Sequence, residues 1–305
     1  MVTTRHLELI LKVLADRIRT ALILAIVFVL ISTQSSTFLF SIIISVTIIF
    51  MGWEWAALAG FASKSLKILW MACLSIILAL AYLALGITSL SSDINTWLGI
   101  NILIFGALFW ICCPLILYAY PEYSAIWNTR YRICVLGIFA LIPAWCGMIF
   151  LKYFDSSGLL ILLLVILVAA ADIGAYFSGK AFGRRKLALK LSPNKTWEGV
   201  LGGFVSCSAI AIPLAFYFIP DGEKVNALSL LLLNVTVVFF SIIGDLLESI
   251  LESAGYGVGV VDQFYTEETR DGLAQWQDDF GFKGGITEVD ELVNFSLISN
   301  PNSCI

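Results

Sequence analysis

Long apolar runs dominate the chain and are separated by short polar connections. The runs lie at about 21–31, 37–60, 66–87, 97–120, 133–151, 159–178, 200–219 and 228–250. A membrane-spanning helix needs about 20 predominantly apolar residues, and all but the first run meet or approach that length. We therefore predict an all-α, polytopic integral membrane protein with about eight transmembrane helices. A cleaved signal peptide at 1–31 is the weaker alternative, because Glu8 and Asp16 are unusual in such a segment.

Basic residues between the runs predict the orientation of the helices. Alternate segments hold 4, 2, 2 and 6 Lys or Arg residues, whereas the intervening ones hold 0, 0, 1 and 1. Cytoplasmic connections of membrane proteins are enriched in these residues. The 14-to-2 division therefore predicts eight spans with both termini in the cytoplasm. The largest hydrophilic connection, 179–199, carries six of the cations and is predicted to be cytoplasmic.

Composition excludes several classes of protein. Hydrophobic residues make up 60% of the chain and charged residues 13%, which is too apolar for a soluble domain. His6 is the only histidine and no C-x-x-C occurs, which argues against a histidine-based triad, a His-ligated zinc site and a haem. Residues 1–250 carry 16 basic and 12 acidic residues, whereas 251–305 carry 2 and 10. The chain is thus a mildly basic membrane body followed by an acidic tail.

Four carboxylates inside or near the ends of the apolar runs are candidates for chemistry, because charge is costly in a bilayer. They are Glu54, Asp172, Asp245 and Glu248. The predicted topology places all four toward the cytoplasmic side, level with the basic loop 179–199. Carboxylates beside cations suit a Mg²⁺ ion that bridges protein and substrate phosphate. For the tryptophans on either side of Glu54, an aromatic belt at the membrane interface is the simplest interpretation.

Four stretches of the sequence resemble one family of membrane enzymes. They are WEWAAL at 53–58, YPEYSAIW at 120–127, ADIGAYFSGKAFGRRKLALKLSPNKTWEGVLGG at 171–203 and IIGDLLESIL at 242–251. In this order they resemble the phosphatidate cytidylyltransferases, also called CDP-diglyceride synthases, over roughly residues 12–251. The resemblance divides the chain into N-terminal helices (1–158), a cytidylyltransferase-like core (159–251) and an acidic tail that does not match the family (252–305).

The resemblance implies a bundle of helices in the cell inner membrane that acts in phospholipid biosynthesis. Such an enzyme condenses CTP with phosphatidic acid, giving CDP-diacylglycerol and pyrophosphate, with Mg²⁺ as cofactor. CTP, phosphatidic acid and membrane lipids are then the expected partners, with no nucleic acid. The oligomeric state stays open, with a homodimer as the assembly to test.

Residue roles follow from the same resemblance. The implied catalytic residues are Asp172, Asp245 and Lys195, and the implied metal ligands are Asp172, Asp245 and Glu248. The implied substrate-binding residues are Lys180, Arg184, Arg185, Lys186, Lys190, Ser192, Asn194, Thr196 and Glu198.

The tail departs from the family pattern. After its G-D-x-x-E-S segment the family carries Lys-Arg, Gly-His-Gly-Gly, Asp-Arg-x-Asp and a further apolar helix, and residues 252–305 contain none of these. Because that block supplies metal-binding aspartates in the family, we predict weak CTP binding and low turnover for this chain. A frame disruption near codon 251 is our hypothesis for the change, which comparison of the other reading frames would test.

Two other functions compete with this interpretation. A CTP-dependent membrane lipid kinase would also need metal-binding carboxylates and a basic loop. A transporter is a different class, but transporters place their charges near the bilayer midplane and often contain inverted repeats. Here the acids gather toward one face of the membrane and no repeat is evident.

Overall fold

The structure is a computed structural model that describes residues 2–89, 94–118, 129–188, 192–218 and 226–255. Its helices are α1 (Val2–Gln34), α2 (Thr37–Leu58), α3 (Lys64–Ala84), α4 (Thr96–Tyr118), α5 (Arg130–Phe154), α6 (Leu159–Phe182), α7 (Trp197–Phe218) and α8 (Ala227–Gly255). A single antiparallel pair of strands, β1 (Lys186–Ala188) and β2 (Ser192–Thr196), lies between α6 and α7 within these ranges.

The helices fit a membrane protein. Within the described residues, the seven helices from α2 to α8 are long and apolar enough to span a bilayer, and the apolar part of α1 (18–34) is shorter. Large apolar side chains face outward along them, including Leu83 at 75% and Leu24 at 68% exposure, as expected where lipid is the solvent. The prediction of a polytopic helical membrane protein is confirmed, with the small hairpin as an addition. The orientation of the termini stays a prediction.

The turn between α5 and α6 shows how sequence fixes a helix boundary. Asp155 ends α5, and its carboxylate accepts hydrogen bonds from the backbone N–H groups of Ser157 and Leu160, both 3.0 Å away. Gly158 has a φ of 76°, which an L side chain adopts only with strain. Together the carboxylate and the glycine start α6 immediately after α5 ends.

Two tryptophans, the half-buried Trp55 and the buried Trp145, connect α2 to α5. Trp55 Nε1 donates to the carbonyl oxygen of Ile133 at 2.8 Å, and its ring lies against Gly137. Trp145 Nε1 donates to the Ser45 hydroxyl at 2.8 Å. The Trp55 indole thus packs between α2 and α5, whereas its place in an interfacial aromatic belt stays a prediction. Trp53 is half-buried, with Lys67 Nζ 5.4 Å from its ring centre.

Lys152 is fully buried near the end of α5. Its ammonium group donates to the carbonyl oxygens of Ser32 at 2.6 Å and Ser156 at 2.7 Å. Ser32 lies in the last turn of α1, where carbonyl groups lack partners within the helix. Lys152 thus ties α1 to the turn between α5 and α6. It is one of only two cations in the connections predicted to lie outside the cytoplasm, and it serves the packing of the bundle.

Candidate functional site

The site is built on α6 and α7, which pack through small residues. A side-chain carbon added at Gly202 would approach the Gly174 carbonyl oxygen to 2.7 Å, and one at Gly203 would approach the Ala171 carbonyl oxygen to 2.8 Å. Small residues spaced in this way let membrane helices approach closely. The close packing holds the two ends of the 171–203 segment side by side.

The basic loop between these helices forms the hairpin. Lys186 pairs with Thr196 across the two strands, and the Trp197 N–H donates to the Arg185 carbonyl at 3.0 Å. Thr196 is buried and its hydroxyl accepts from the Gly199 N–H at 3.1 Å, which caps the start of α7. Lys186 and Lys195 are therefore carried on paired strands.

Glu198 fixes the backbone at the start of this loop. Its carboxylate accepts hydrogen bonds from the N–H groups of Arg184 at 3.1 Å and Arg185 at 3.2 Å. The Ser178 hydroxyl donates to the Glu198 carbonyl at 2.7 Å. For Thr196 and Glu198, which were predicted to bind substrate, the structure shows internal partners, and both position the residues around them.

An open cleft lies beside these groups. It has a volume of about 380 Å³ and is lined by Ala181, Phe182, Gly183, Arg184 and Glu198. Phe182 is 70% exposed there. An exposed aromatic ring beside an arginine side chain offers a surface for stacking and for contact with an anion.

An ion pair joins the hairpin to α8. Lys195 Nζ on β2 contacts the Asp245 carboxylate, and the two side chains are 34% and 43% exposed. The contact joins a predicted catalytic lysine to a predicted catalytic aspartate, a pairing that the sequence interpretation did not specify. Both groups remain partly open to a ligand.

Asp172 lies on α6 and contacts α8 one helical turn before Asp245. The hydroxyl of Ser241 donates to Asp172 Oδ1 at 2.6 Å, which links α8 to α6. Ser241 and Asp245 are four residues apart, so their Cβ atoms are about 5–6 Å from each other. The structure therefore brings Asp172, Asp245 and Lys195 into one neighbourhood, with Ser241 between the two aspartates.

The described part of the chain contains no group of three or more His, Cys, Asp or Glu side chains placed to hold a metal ion. Glu248 is exposed on α8, three residues beyond Asp245, and Glu54 is exposed on α2. The three predicted metal ligands thus do not form a ready-made cluster. The two aspartates still offer hard oxygen donors, which fits the way magnesium is held by one or two carboxylates together with substrate phosphates.

The remaining predicted residues lie on or near the hairpin. Lys180 Nζ is 5.7 Å from the ring centre of Tyr176, and Lys186 is exposed. Ser192 is half-buried and Asn194 exposed on β2, whereas Lys190 lies outside the described residues. The sequence interpretation did not include Ser241. Its position four residues before Asp245 was the available signal, because that spacing places both on one helix face.

Comparison with known proteins decides the family. The model of the cytidylyltransferase family matches residues 15–252. The chain belongs to the cytidylyltransferase family. The match ends at residue 252, in agreement with the end of the resemblance near residue 251.

Three bacterial relatives share the name phosphatidate cytidylyltransferase. The chain is 34% identical to the protein from Pseudomonas aeruginosa over 214 residues, which are 70% of this chain and 74% of the relative. It is 39% identical to the Haemophilus influenzae protein over 50% of this chain and 55% of the relative. The Bacillus subtilis protein is 32% identical over 47% of this chain and 58% of its own length. The chain thus spans a little over half the length of the last two relatives.

Proposed function

We propose that this chain condenses CTP with phosphatidic acid to form CDP-diacylglycerol and pyrophosphate, a step in phospholipid biosynthesis. The observation that carries the proposal is the meeting of two matched segments, 171–203 and 242–251, at the Lys195–Asp245 contact. The shared name of the relatives from three bacteria supports the same reaction.

The reaction needs charge neutralisation and alignment more than covalent help from the protein. A phosphate oxygen of phosphatidic acid forms a bond to the α-phosphorus of CTP, while the bond from that phosphorus to the β-phosphate bridging oxygen breaks. Pyrophosphate leaves with the electron pair. Catalysis of phosphoryl transfer of this kind rests largely on positioning and on neutralising the charge that two phosphate groups bring together.

In this proposal the residues of the hairpin bind the anionic groups. Lys195 contributes a point charge toward phosphate, and Arg184 lines the cleft. The backbone of Arg184 and of the neighbouring cation Arg185 is held by Glu198. Asp172 and Asp245 would hold Mg²⁺, with Ser241 orienting the Asp172 carboxylate. When bound, the ion supplies electrostatic stabilisation to the triphosphate.

The competing functions gain no support from the comparisons. The relatives described above share the name of the cytidylyltransferase, whereas neither a lipid kinase nor a transporter is named among them. The candidate acids also sit with a basic hairpin on one side of the bundle, an arrangement that suits a soluble nucleotide better than a path through the membrane.

The location we propose is the cytoplasmic (inner) membrane, with the hairpin facing the cytoplasm. The apolar helices and the bacterial relatives support a multi-pass membrane protein, and the distribution of basic residues supports the orientation. A reporter that is active only outside the cytoplasm, fused at position 190, should give no signal. A strong signal would overturn the orientation.

The homodimer stays a prediction, which the mass of the purified protein in detergent would test.

The direct test of the reaction follows labelled cytidine. Purified chain is mixed with CTP labelled in the base, phosphatidic acid and Mg²⁺, and lipids are then extracted. We expect a lipid-soluble cytidine product that depends on phosphatidic acid and is lost in Asp245→Asn. Asp155→Asn is the matched carboxylate control. Asp155 lies at the opposite end of α6 from the hairpin, so this variant should keep the activity. No product from wild-type chain, even at high enzyme concentration, would refute the proposal.

A further inference from the structure

Lys195 and Asp245 neutralise each other in the ligand-free chain. Their contact joins β2 to α8, and their side chains are 34% and 43% exposed, so a ligand can reach both. A complex of nucleotide and divalent cation would need both of these groups as its own binding partners. An ammonium group pairs with phosphate, and a carboxylate binds a divalent cation. While they hold each other, neither is free for its ligand.

We propose that Lys195 is an internal counter-ion that occupies the place of a divalent cation at Asp245, and that a nucleotide phosphate draws it away. The inference rests on the proposed function, which supplies the triphosphate as the anion. A cation alone must displace the ammonium group, and a triphosphate alone must draw it from the carboxylate. When both arrive, Lys195 moves to phosphate and Asp245 is left to the cation. The two ligands therefore promote each other's binding, a reciprocity that linkage requires.

Asp172 provides the contrast that makes the inference testable. It accepts a hydrogen bond from the hydroxyl of Ser241, a neutral group, at 2.6 Å. A cation that approaches Asp172 replaces a hydrogen bond, whereas one that approaches Asp245 must replace a full positive charge. Removing Lys195 should thus strengthen the binding of a cation at Asp245, whereas removing a neighbouring lysine should not. Lys186, exposed at the start of β1, is the matched lysine on the same hairpin.

The first test measures a divalent cation without nucleotide. Mn²⁺ is titrated into purified protein in detergent, and free Mn²⁺ is followed by its paramagnetic resonance signal. We expect Lys195→Met to bind Mn²⁺ about five-fold more tightly than wild type. This factor is at the low end of the usual coupling between two binding sites, because the Lys195–Asp245 pair is partly exposed and solvent weakens its attraction. Lys195→Arg, which keeps the charge, should bind like wild type, and Lys186→Met should change little.

Three results of that titration would overturn the inference. They are unchanged or weaker binding in Lys195→Met, equal tightening in Lys195→Arg, or equal tightening in Lys186→Met. The last would show a general effect of charge. Gel filtration and thermal unfolding check that each variant is folded, and Lys195→Gln replaces Lys195→Met if the latter does not fold.

The second test measures CTP without a cation. Binding of labelled CTP is followed in the presence of a chelator. Asp245→Asn should bind CTP about five-fold more tightly than wild type, because Lys195 no longer has a competing carboxylate. Asp172→Asn removes the same charge from a carboxylate that contacts a hydroxyl instead of Lys195. Its gain in affinity for CTP should therefore be clearly smaller. Equal gains in the two variants, or none in Asp245→Asn, would contradict the inference.

The two proposals fail in distinguishable ways. The Mn²⁺ titration contains no nucleotide, so it can succeed or fail whatever reaction the chain catalyses. A wild-type chain that transfers cytidylyl groups while Lys195→Met shows no tighter binding of Mn²⁺ would refute the counter-ion and leave the proposed function standing. A chain that transfers nothing, with tighter Mn²⁺ binding in Lys195→Met, would refute the proposed function alone.

Discussion

At the scale of the residue, Ser241 orders one of the two site aspartates. Its hydroxyl donates to Asp172 at 2.6 Å, and hydrogen bonds to charged groups contribute about 1.5–3 kcal/mol. Because Asp172 is exposed, we take the lower end and expect Ser241→Ala to lower kcat about ten-fold, with a smaller change in the KM for CTP. Ser241→Thr keeps the hydroxyl and should retain most of the rate. Wild-type kcat in Ser241→Ala would show that Asp172 needs no such partner.

The charged residues of the site were accessible to sequence reasoning, whereas their partners were not. A carboxylate in an apolar run is costly in a membrane, so Asp172 and Asp245 could be identified one by one. Lys195 was singled out by the resemblance of the 171–203 segment to the family. Pairing depends on how helices distant in sequence pack. The contacts of Ser241 with Asp172 and of Glu198 with the backbone of Arg184 therefore emerge only from the fold.

At the scale of the element, the α6–α7 contact depends on glycine. A side chain at Gly202 would meet Ser178 and the carbonyl of Gly174, so it requires the helices to separate. We expect Gly202→Ala to destabilise the protein by about 1–3 kcal/mol, the usual cost of overpacking, and to lower the thermal unfolding temperature in detergent. Gly244→Ala is the control, because a side chain there meets nothing within 4 Å. Equal unfolding temperatures for the two variants would contradict this packing.

The turn between α5 and α6 predicts a pH dependence. Partial burial raises the pKa of Asp155, but hydrogen bonds from Ser157, Leu160 and Leu159 outweigh it, so the pKa lies below its ordinary value. A carboxylate with a lowered pKa in the folded state contributes stability above its unfolded pKa, and the contribution is lost as pH falls through the folded pKa. Asp155→Asn should therefore unfold at a lower temperature than wild type at about pH 6, with the gap closing toward about pH 3. A gap that is independent of pH would contradict a role for the charge.

The apolar runs located the helices because length and composition alone determine which segments can cross a membrane. The hairpin was not predicted. Its strands are short and contain two lysines, an asparagine and a proline, so they carry little intrinsic preference for extended structure. They pair because the close contact of α6 with α7 brings Arg185 and Trp197 together.

At the scale of the whole molecule, the chain combines a family-type membrane core with a tail of different composition. The family match ends at residue 252, and ten acidic residues follow from position 251 onward. We expect a chimera with a family-type Gly-His-Gly-Gly, Asp-Arg-x-Asp and final helix to turn over at least about 10²-fold faster, the effect of one preorganised electrostatic contact. Equal rates of CDP-diacylglycerol formation by the two chains would show that the native tail is competent.

The most direct measurement of the central claim asks which phosphorus of CTP enters the lipid. Parallel reactions contain CTP labelled at the α-phosphate or at the γ-phosphate, with phosphatidic acid and Mg²⁺, and the extracted lipid is counted. A cytidylyltransferase moves the α-phosphate into CDP-diacylglycerol and releases the γ-phosphate in pyrophosphate, so we predict lipid label only from the α-position. Lipid label only from the γ-position would identify a kinase and contradict the function proposed for this chain.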